Sequence, residues 1–178
     1  MCTEIEAKLK VDSLEEIEHK LIELGARFVG EQLQTDYFFD DAKSELIKKD
    51  KCLRLRRQLV GKNESCFLTY KGAQEKSNFK KRQEREFEIK DSDSAHKLLL
   101  ALGYEEVLIV EKRRSLWQLG NCDVALDKLS RLGDFVEIEG PDEETIANVQ
   151  NILGLTDLPH ISKSYASLLT DRLQHLDK

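Results

Sequence analysis

The side chains able to do chemistry in this sequence come in alternating rows. Residues 3–11 read Thr-Glu-Ile-Glu-Ala-Lys-Leu-Lys-Val, so Glu4, Glu6 and Lys8 share one face of an extended segment and Ile5, Ala7 and Leu9 the other. The alternation returns with Arg54 and Arg56, with Arg82, Glu84, Glu86 and Glu88, with Lys112 and Arg114, and with Glu137 and Glu139; two further segments end in Lys71 and Asp127. A strand face that merely meets water mixes in Ser, Thr, Asn and Gln, and these rows hold few. The planar fork of arginine gives paired hydrogen bonds to phosphate, so Lys8, Arg54, Arg56, Lys71, Arg82, Lys112 and Arg114 can neutralise a polyanion. The carboxylates cannot bind phosphate. Glu4, Glu6, Glu137 and Glu139 suit Mg²⁺ or Mn²⁺ instead, hard cations that take carboxylate and phosphate oxygens together. Glu4 and Glu6 project the same way, about 7 Å apart along the strand. Bases and metal-binding acids on one wet surface predict a nucleotide or polyphosphate with a divalent metal.

Such rows need elements to hold them. Strand signals cover 3–11, 34–39, 52–57, 66–71, 82–89, 107–119, 124–129 and 135–139. Ser13 and Glu16 form a capping box for a helix whose stripe is Leu14, Ile17, Leu21 and Leu24 and whose stop is Gly25. Further helices are predicted from Ser92 to Leu102 before Gly103, over Glu143–Leu153 before Gly154, and over Ser162–Leu176 with Tyr165, Leu168, Leu169, Arg172 and Leu176 on one stripe. Asp40–Lys51 and Gly72–Lys81 read as polar connections. Leu24-Gly25 matches Leu102-Gly103 and Glu4/Glu6 matches Glu84/Glu86, which predicts an internally duplicated βαβββ unit. The strand backs are apolar (Leu53 and Leu55, Phe87 and Ile89, Val124 and Leu126, Val136 and Ile138) and match the helix stripes. The helices then pack outside and the ionic faces meet each other, as in a sheet closed on itself around a polar lumen.

Composition bounds the alternatives. The chain of 178 residues is read as one domain, 1–178, long enough for a real core. Charged residues are 35%, above the usual ~25%, and the net charge is −6, which disfavours a long nucleic-acid partner. No run of eighteen apolar residues exists, and Met1-Cys2-Thr3-Glu4 leads straight into the charged alternation, so neither a membrane span nor a signal peptide is expected. Cys2, Cys52, Cys66 and Cys122 form no CxxC pair; the last three read as small core residues, and a reducing cytoplasm is expected. His19, His96, His160 and His175 are scattered and receive no catalytic role.

Glu4-Ile5-Glu6-Ala7-Lys8 resembles the N-terminal Glu-x-Glu-x-Lys signature of the CYTH superfamily, the triphosphate tunnel metalloenzymes. Arg54-Leu55-Arg56, Lys71-Gly72, Arg82 with Glu84/Glu86, Glu111-Lys112-Arg113-Arg114, Leu126-Asp127, Gly133-Asp134-Phe135-Val136-Glu137-Ile138-Glu139 and Ser164-Tyr165 follow in the family's order. The resemblance implies an α+β fold, an eight-stranded closed antiparallel β-barrel with a charged lumen and helices packed outside. It implies Mg²⁺- or Mn²⁺-dependent action on a triphosphate. The length, Glu-Lys-Arg-Arg-Ser and Leu-Gly-Asp-Phe-Val-Glu-Ile-Glu are similar to the class IV adenylyl cyclase branch, which converts ATP to cyclic AMP and pyrophosphate. Hydrolysis of thiamine triphosphate or inorganic tripolyphosphate is the alternative, and a noncatalytic nucleotide or polyphosphate binder a third.

Carried over by position, the metal ligands are Glu4, Glu6, Glu137 and Glu139, with Glu86 added. The triphosphate grip is Lys8, Arg54, Arg56, Lys71, Arg82, Lys112 and Arg114. Glu6, Lys8, Lys112 and Asp127 are the catalytic set, Asp127 at the tunnel wall. Arg113 has the opposite strand parity and is placed outside; Lys163 reads as a surface lysine. Phe38, Phe39, Tyr70 and Phe79 are candidates to stack on a base, with core the competing role for Phe39 and Tyr70. A homodimer is common in this branch.

Overall fold

Every alternating segment finds a strand on each side, and the sheet closes. The computed structural model describes residues 2–75 and 77–176. Its strands are β1 (Cys2–Val11), β2 (Arg27–Asp41), β3 (Cys52–Val60), β4 (Asn63–Lys71), β5 (Lys80–Ile89), β6 (Tyr104–Leu119), β7 (Cys122–Leu129) and β8 (Gly133–Glu139). They form a closed barrel in the order β1-β5-β4-β3-β2-β6-β7-β8, antiparallel throughout, with β8 paired back to β1. The helices are α1 (Leu14–Glu23), α2 (Glu45–Lys48), α3 (Ser92–Ala101), α4 (Glu143–Ile152) and α5 (Tyr165–Leu176). Among the described residues no helix is long and apolar enough to cross a membrane.

The duplication is visible in the topology. Both halves run β-α-β-β-β apart from the single turn of α2, and exchanging them returns the barrel order read backwards. Cys2–Val11 superposes in sequence on Lys80–Ile89, and Leu14–Glu23 on Ser92–Ala101, at one constant spacing. That spacing matches Glu6 with Glu84 and Glu4 with Arg82, so the expected pairing of Glu4/Glu6 with Glu84/Glu86 is two residues out of register. The helix signals behave as equivalents. Ser13 Oγ accepts from the Glu16 N–H at 3.3 Å and Asp91 Oδ1 from the Ser94 N–H at 3.0 Å. Gly25 and Gly103 end α1 and α3 at φ +72° and +88°. At the first, the Ala26 N–H reaches Leu21 O and the Gly25 N–H reaches Ile22 O, both within 3.0 Å, which closes the orphan carbonyls.

Boundaries differ where a local signal was missing. β2 begins seven residues before the predicted 34–39 segment, because a bulge at Gly30 breaks the alternation that marks a strand. β5 begins at Lys80, inside the predicted loose connection. α5 begins at Tyr165 rather than Ser162. Its inner face carries Tyr165, Leu168, Leu169 and Leu173, while Arg172 is exposed; the Leu176 side chain lies outside the described residues.

Strand polarity gives the barrel two unlike ends. At one end the strands are joined directly by the two-residue turns 61–62 and 120–121. The other carries the 42–51 and 72–79 connections, and the C-terminal segment lies over it: the Ile161 N–H donates to Lys8 O, and Tyr165 and Leu169 pack with Val110, Leu129, Leu132 and Phe135. The main core lies outside the β1/β7/β8 wall, where Leu9, Val124, Val136 and Ile138 meet Ile17 and Leu21 of α1 and Ile146 and Val149 of α4. Gly140 lets β8 turn into α4, since a Cβ there would stand 2.7 Å from Cys122 Sγ.

Candidate active site

The barrel encloses a cavity of about 910 Å³. Of the sequence-predicted site residues, Glu4, Glu6, Lys8, Arg54, Arg56, Lys71, Arg82, Glu86, Lys112, Arg114, Glu137 and Glu139 line it. Asp127 does not: it is fully buried in the wall behind Lys112 and Arg114. Glu88 is exposed and lies off the lining, and Arg113 faces outward as its parity predicts. Lys163 is exposed and pairs with Asp171. Sequence reasoning missed Asp36, Lys80 and Glu84 as site groups, and also Arg85 and Asp123, which line the cavity too. Lys80 could have been found by running the Arg82/Glu84/Glu86 parity two residues upstream. Cys52 was assigned to the core and instead lines the cavity on the Arg54/Arg56 row; Cys66 and Cys122 are buried. Phe38 lines the cavity and Phe39 belongs to the core.

Strand register sets acid against base across the lining. Glu4 lies opposite Arg82, Glu6 opposite Lys80, Lys8 opposite Glu137, Asp36 opposite Arg56, Lys71 opposite Glu84 and Arg114 opposite Asp127. The side chains then join. Lys71 Nζ reaches Glu4 Oε1 at 2.6 Å and Glu84 Oε2 at 2.9 Å. Lys80 Nζ reaches Glu6 Oε1 at 2.6 Å. Arg56 grips Asp36 with two bonds, at 2.6 and 2.9 Å. Thr69 Oγ1 accepts from Arg54 at 3.1 Å and donates to Glu86 at 2.7 Å.

The capped end holds the tightest network. Asp127 accepts from Arg114 Nε at 2.7 Å, Lys112 Nζ at 3.2 Å and the Tyr165 hydroxyl at 2.9 Å. Arg114 also binds Glu137, and Lys8 Nζ lies 3.1 Å from Glu137. Lys8 and Lys112 ammoniums sit 4.1 and 4.9 Å from the centre of the Tyr165 ring.

Burial and neighbours move the titrations in opposite ways. Burial works to raise the Asp36 carboxyl, but Arg54 and Arg56 overcome it and hold it well below the usual carboxylate range. Glu137 is likewise held low by Lys8 and Arg114 against its burial. Lys112 moves down to about 8, through burial first and Arg114 second, with Asp127 opposing. The Tyr165 hydroxyl is pushed well up by burial and then by Glu137 and Asp127. Glu139 is pushed up to about 7 by enclosure in the wall and then by Glu4 and Glu6. It is exposed toward the opening, where solvent screens part of that repulsion.

Two observations test whether these residues suit the divalent metal that the resemblance implies. Glu6 and Glu139 are direct cross-strand partners, a like-charge arrangement that costs stability unless a cation shares it. The Arg54 and Arg82 side chains are buried, and their Nε atoms have no acceptor among the described residues. Carboxylate oxygens for a hard cation and spare guanidinium donors for its phosphate partner fit that group. Among the described residues no three His, Cys, Asp or Glu side chains converge on one point. Lys71 on Glu4 and Lys80 on Glu6 occupy the oxygens that would have to converge.

Comparisons with known proteins place the fold and the family. A provisionally named adenylate cyclase of Methanocaldococcus jannaschii is 29% identical over 136 residues, 76% of this chain and 75% of that one. The PH1819 protein of Pyrococcus horikoshii shares the fold with a TM-score of 0.85 at 30% identity, covering 95% of this chain and 99% of its own. A Hippeastrum protein named for adenylyl cyclase and described as having a dominant triphosphatase activity superposes with a TM-score of 0.74 at 17% identity, over 94% of this chain and 95% of that one. Residues 3–165 match the CYTH domain, and the chain belongs to the CYTH family.

Proposed function

We propose that this chain is a divalent-metal-dependent enzyme acting on a small triphosphate, and that the triphosphate itself is the element recognised. The observation that carries this reading is a cavity in which the predicted phosphate-binding bases and metal-binding acids meet, with spare donors on Arg54 and Arg82. Arg54, Arg56, Lys71, Arg82 and Arg114 would bind phosphate oxygens and hold the chain of phosphates straight. Lys8 and Lys112, fixed over the Tyr165 ring, would neutralise charge at the capped end. Glu4, Glu6, Glu137 and Glu139 would hold the metal, and Glu86, bound to Thr69 and Arg54, would join them only by leaving those partners. When bound, the metal supplies charge neutralisation and a lowered pKa for the attacking hydroxyl or water. Asp127, which reaches no cavity surface, would act through Lys112 and Arg114 as a positioning residue.

Two reactions use this apparatus. In cyclisation the ribose 3′-hydroxyl attacks the α-phosphorus and pyrophosphate leaves; in hydrolysis water attacks the terminal phosphorus. The expectation from sequence places cyclisation first, in line with the names of relatives. The lining favours hydrolysis. Of its aromatic rings, Tyr165 is taken up by two ammoniums and Phe135, and Phe87 stands on the outer face of β5, which leaves Phe38 to meet a base. Incubation with Mg²⁺ or Mn²⁺ and, in parallel, ATP, thiamine triphosphate and tripolyphosphate decides between them. Orthophosphate without cyclic AMP supports hydrolysis; cyclic AMP with pyrophosphate supports cyclisation; no turnover of any of the three rejects the enzyme reading.

A further inference from the structure

The lumen is close to electrically balanced: nine basic and eight acidic side chains line it. An arriving cation meets attraction from one set and repulsion from the other, and so does an arriving anion. Neither gains much alone. The ion pairs sharpen the point, because the carboxylates suited to a metal already have cationic partners. Lys80 Nζ is 2.6 Å from Glu6, and Lys71 Nζ is 2.6 and 2.7 Å from the two oxygens of Glu4. A divalent cation and these ammoniums compete for the same oxygens. Glu139 has no hydrogen bond or ion pair among the described residues, so it is the one acid of the group open to a cation without displacement.

We infer that Lys71 and Lys80 are resident counter-ions of the metal carboxylates, and that a divalent cation and a triphosphate bind the lumen with positive coupling. The triphosphate draws these ammoniums onto phosphate oxygens and frees Glu4 and Glu6; the cation takes the freed carboxylates and releases the ammoniums. The exchange is one of partners, with no covalent step and no net proton transfer. Linkage requires that each ligand raise the other's affinity by the same factor. Lys80 thereby joins the site, and the absence of a converged carboxylate cluster is accounted for by the two lysines holding its members apart. The inference rests on the proposed triphosphate and metal site.

The test separates the two claims by sign. Mn²⁺ alone, followed by electron paramagnetic resonance of the free ion, and tripolyphosphate alone in the presence of chelator, followed calorimetrically, are titrated into the wild type and K80Q. The variant is expected to bind Mn²⁺ about fivefold or more tightly and tripolyphosphate about fivefold or more weakly. A purely structural defect would weaken both. The double variant K80Q/E6Q should lose the gain for Mn²⁺. K71Q, acting through Glu4, repeats the experiment should K80Q fail to fold as judged by its thermal melt. If Mn²⁺ binds the wild type but neither lysine variant binds it more tightly, the counter-ion inference is overturned and the metal site stands. If neither Mn²⁺ nor tripolyphosphate binds any form, alone or together, the site reading and the inference both fall.

Discussion

The two repeats share a plan and differ in what covers them. In the first, Leu9 of β1 is fully buried beneath the helices; its counterpart in the second, Phe87 of β5, is 63% exposed. Ile17 and Leu21 of α1 lie in a large core with α4, whereas their counterparts on α3 are the smaller, half-buried Ala95 and the buried Leu99, in a cluster whose other buried members are Phe39 and Leu55. The difference has one source. α4 covers β1, β7 and β8, and the first repeat supplies no equivalent helix for β3, β4 and β5. The lumen follows the same division. The thickly backed wall carries mostly acids, Glu4, Glu6, Asp123, Glu137 and Glu139 beside Lys8, and the thinly backed one mostly bases, Arg54, Arg56, Lys71, Lys80, Arg82 and Arg85 beside Glu84 and Glu86. The acids proposed to hold a metal thus stand mostly on the more heavily covered wall, and most of the long basic side chains, which can follow a ligand, on the other.

Four measurements would break or sharpen that contrast. The largest effect is expected from matched helix truncations. Leu21→Ala should cost about 4 kcal/mol and Leu99→Ala about 2 kcal/mol, within the usual range for buried leucines. Urea unfolding reads both, and equal costs would remove the distinction between the walls. Next come the two walls' chemical roles. Glu6→Gln should lower kcat by about 100-fold or more with a nearly unchanged fold, since losing its charge also relieves the repulsion from Glu139. Arg56→Ala should instead raise KM, by about tenfold. Steady-state kinetics over a metal series separates them, and a kcat effect from Arg56 equal to that of Glu6 would erase the division of labour.

The third concerns pH. Lys112, lowered to about 8 in the fold, keeps its proton to about 10.5 when unfolded. Between those values the unfolded chain binds more protons, so this group's contribution to stability rises with pH there. The ligand sees the opposite, because a neutral Lys112 attracts phosphate less. From pH 7 to 9.5 tripolyphosphate affinity should fall while the Lys112 contribution to the melting temperature rises, and Lys112→Met should flatten both trends. Parallel trends in the wild type would contradict the assignment. The smallest effect is expected at Phe87→Ser, within about 0.5 kcal/mol; a loss near that of Leu99→Ala would mean that the thin wall is backed by something more than α3.

Much of this was legible in the sequence, for a reason specific to tunnels. A solvated lumen dense in charge writes itself as strict alternation, so the strands and most of the charged lining residues announced themselves by parity. Asp36 escaped because its strand carries a single inward charge among Gln34 and Phe38. Lys80 escaped because Gly72–Lys81 has a loop's composition. The burial of Asp127 could not be read from its neighbours in sequence, since Tyr165, which covers it, arrives thirty-eight residues later. The weakness of the α3 side was present in the substitution of Ala95 for Ile17, but it becomes visible only once the repeats are aligned at the correct spacing.

The closure of the barrel fixes when the molecule can become itself. β1 pairs with β5 and β8, so Glu4, Glu6 and Lys8 have no strand beside them until residue 80 is reached and no closed ring until residue 139. Contacts of such long sequence separation delay the folding nucleus and slow the reaction. During synthesis, the first of these eight strands to emerge is therefore among the last to be enclosed, and its alternating charges, which later face the lumen, keep that waiting segment hydrated.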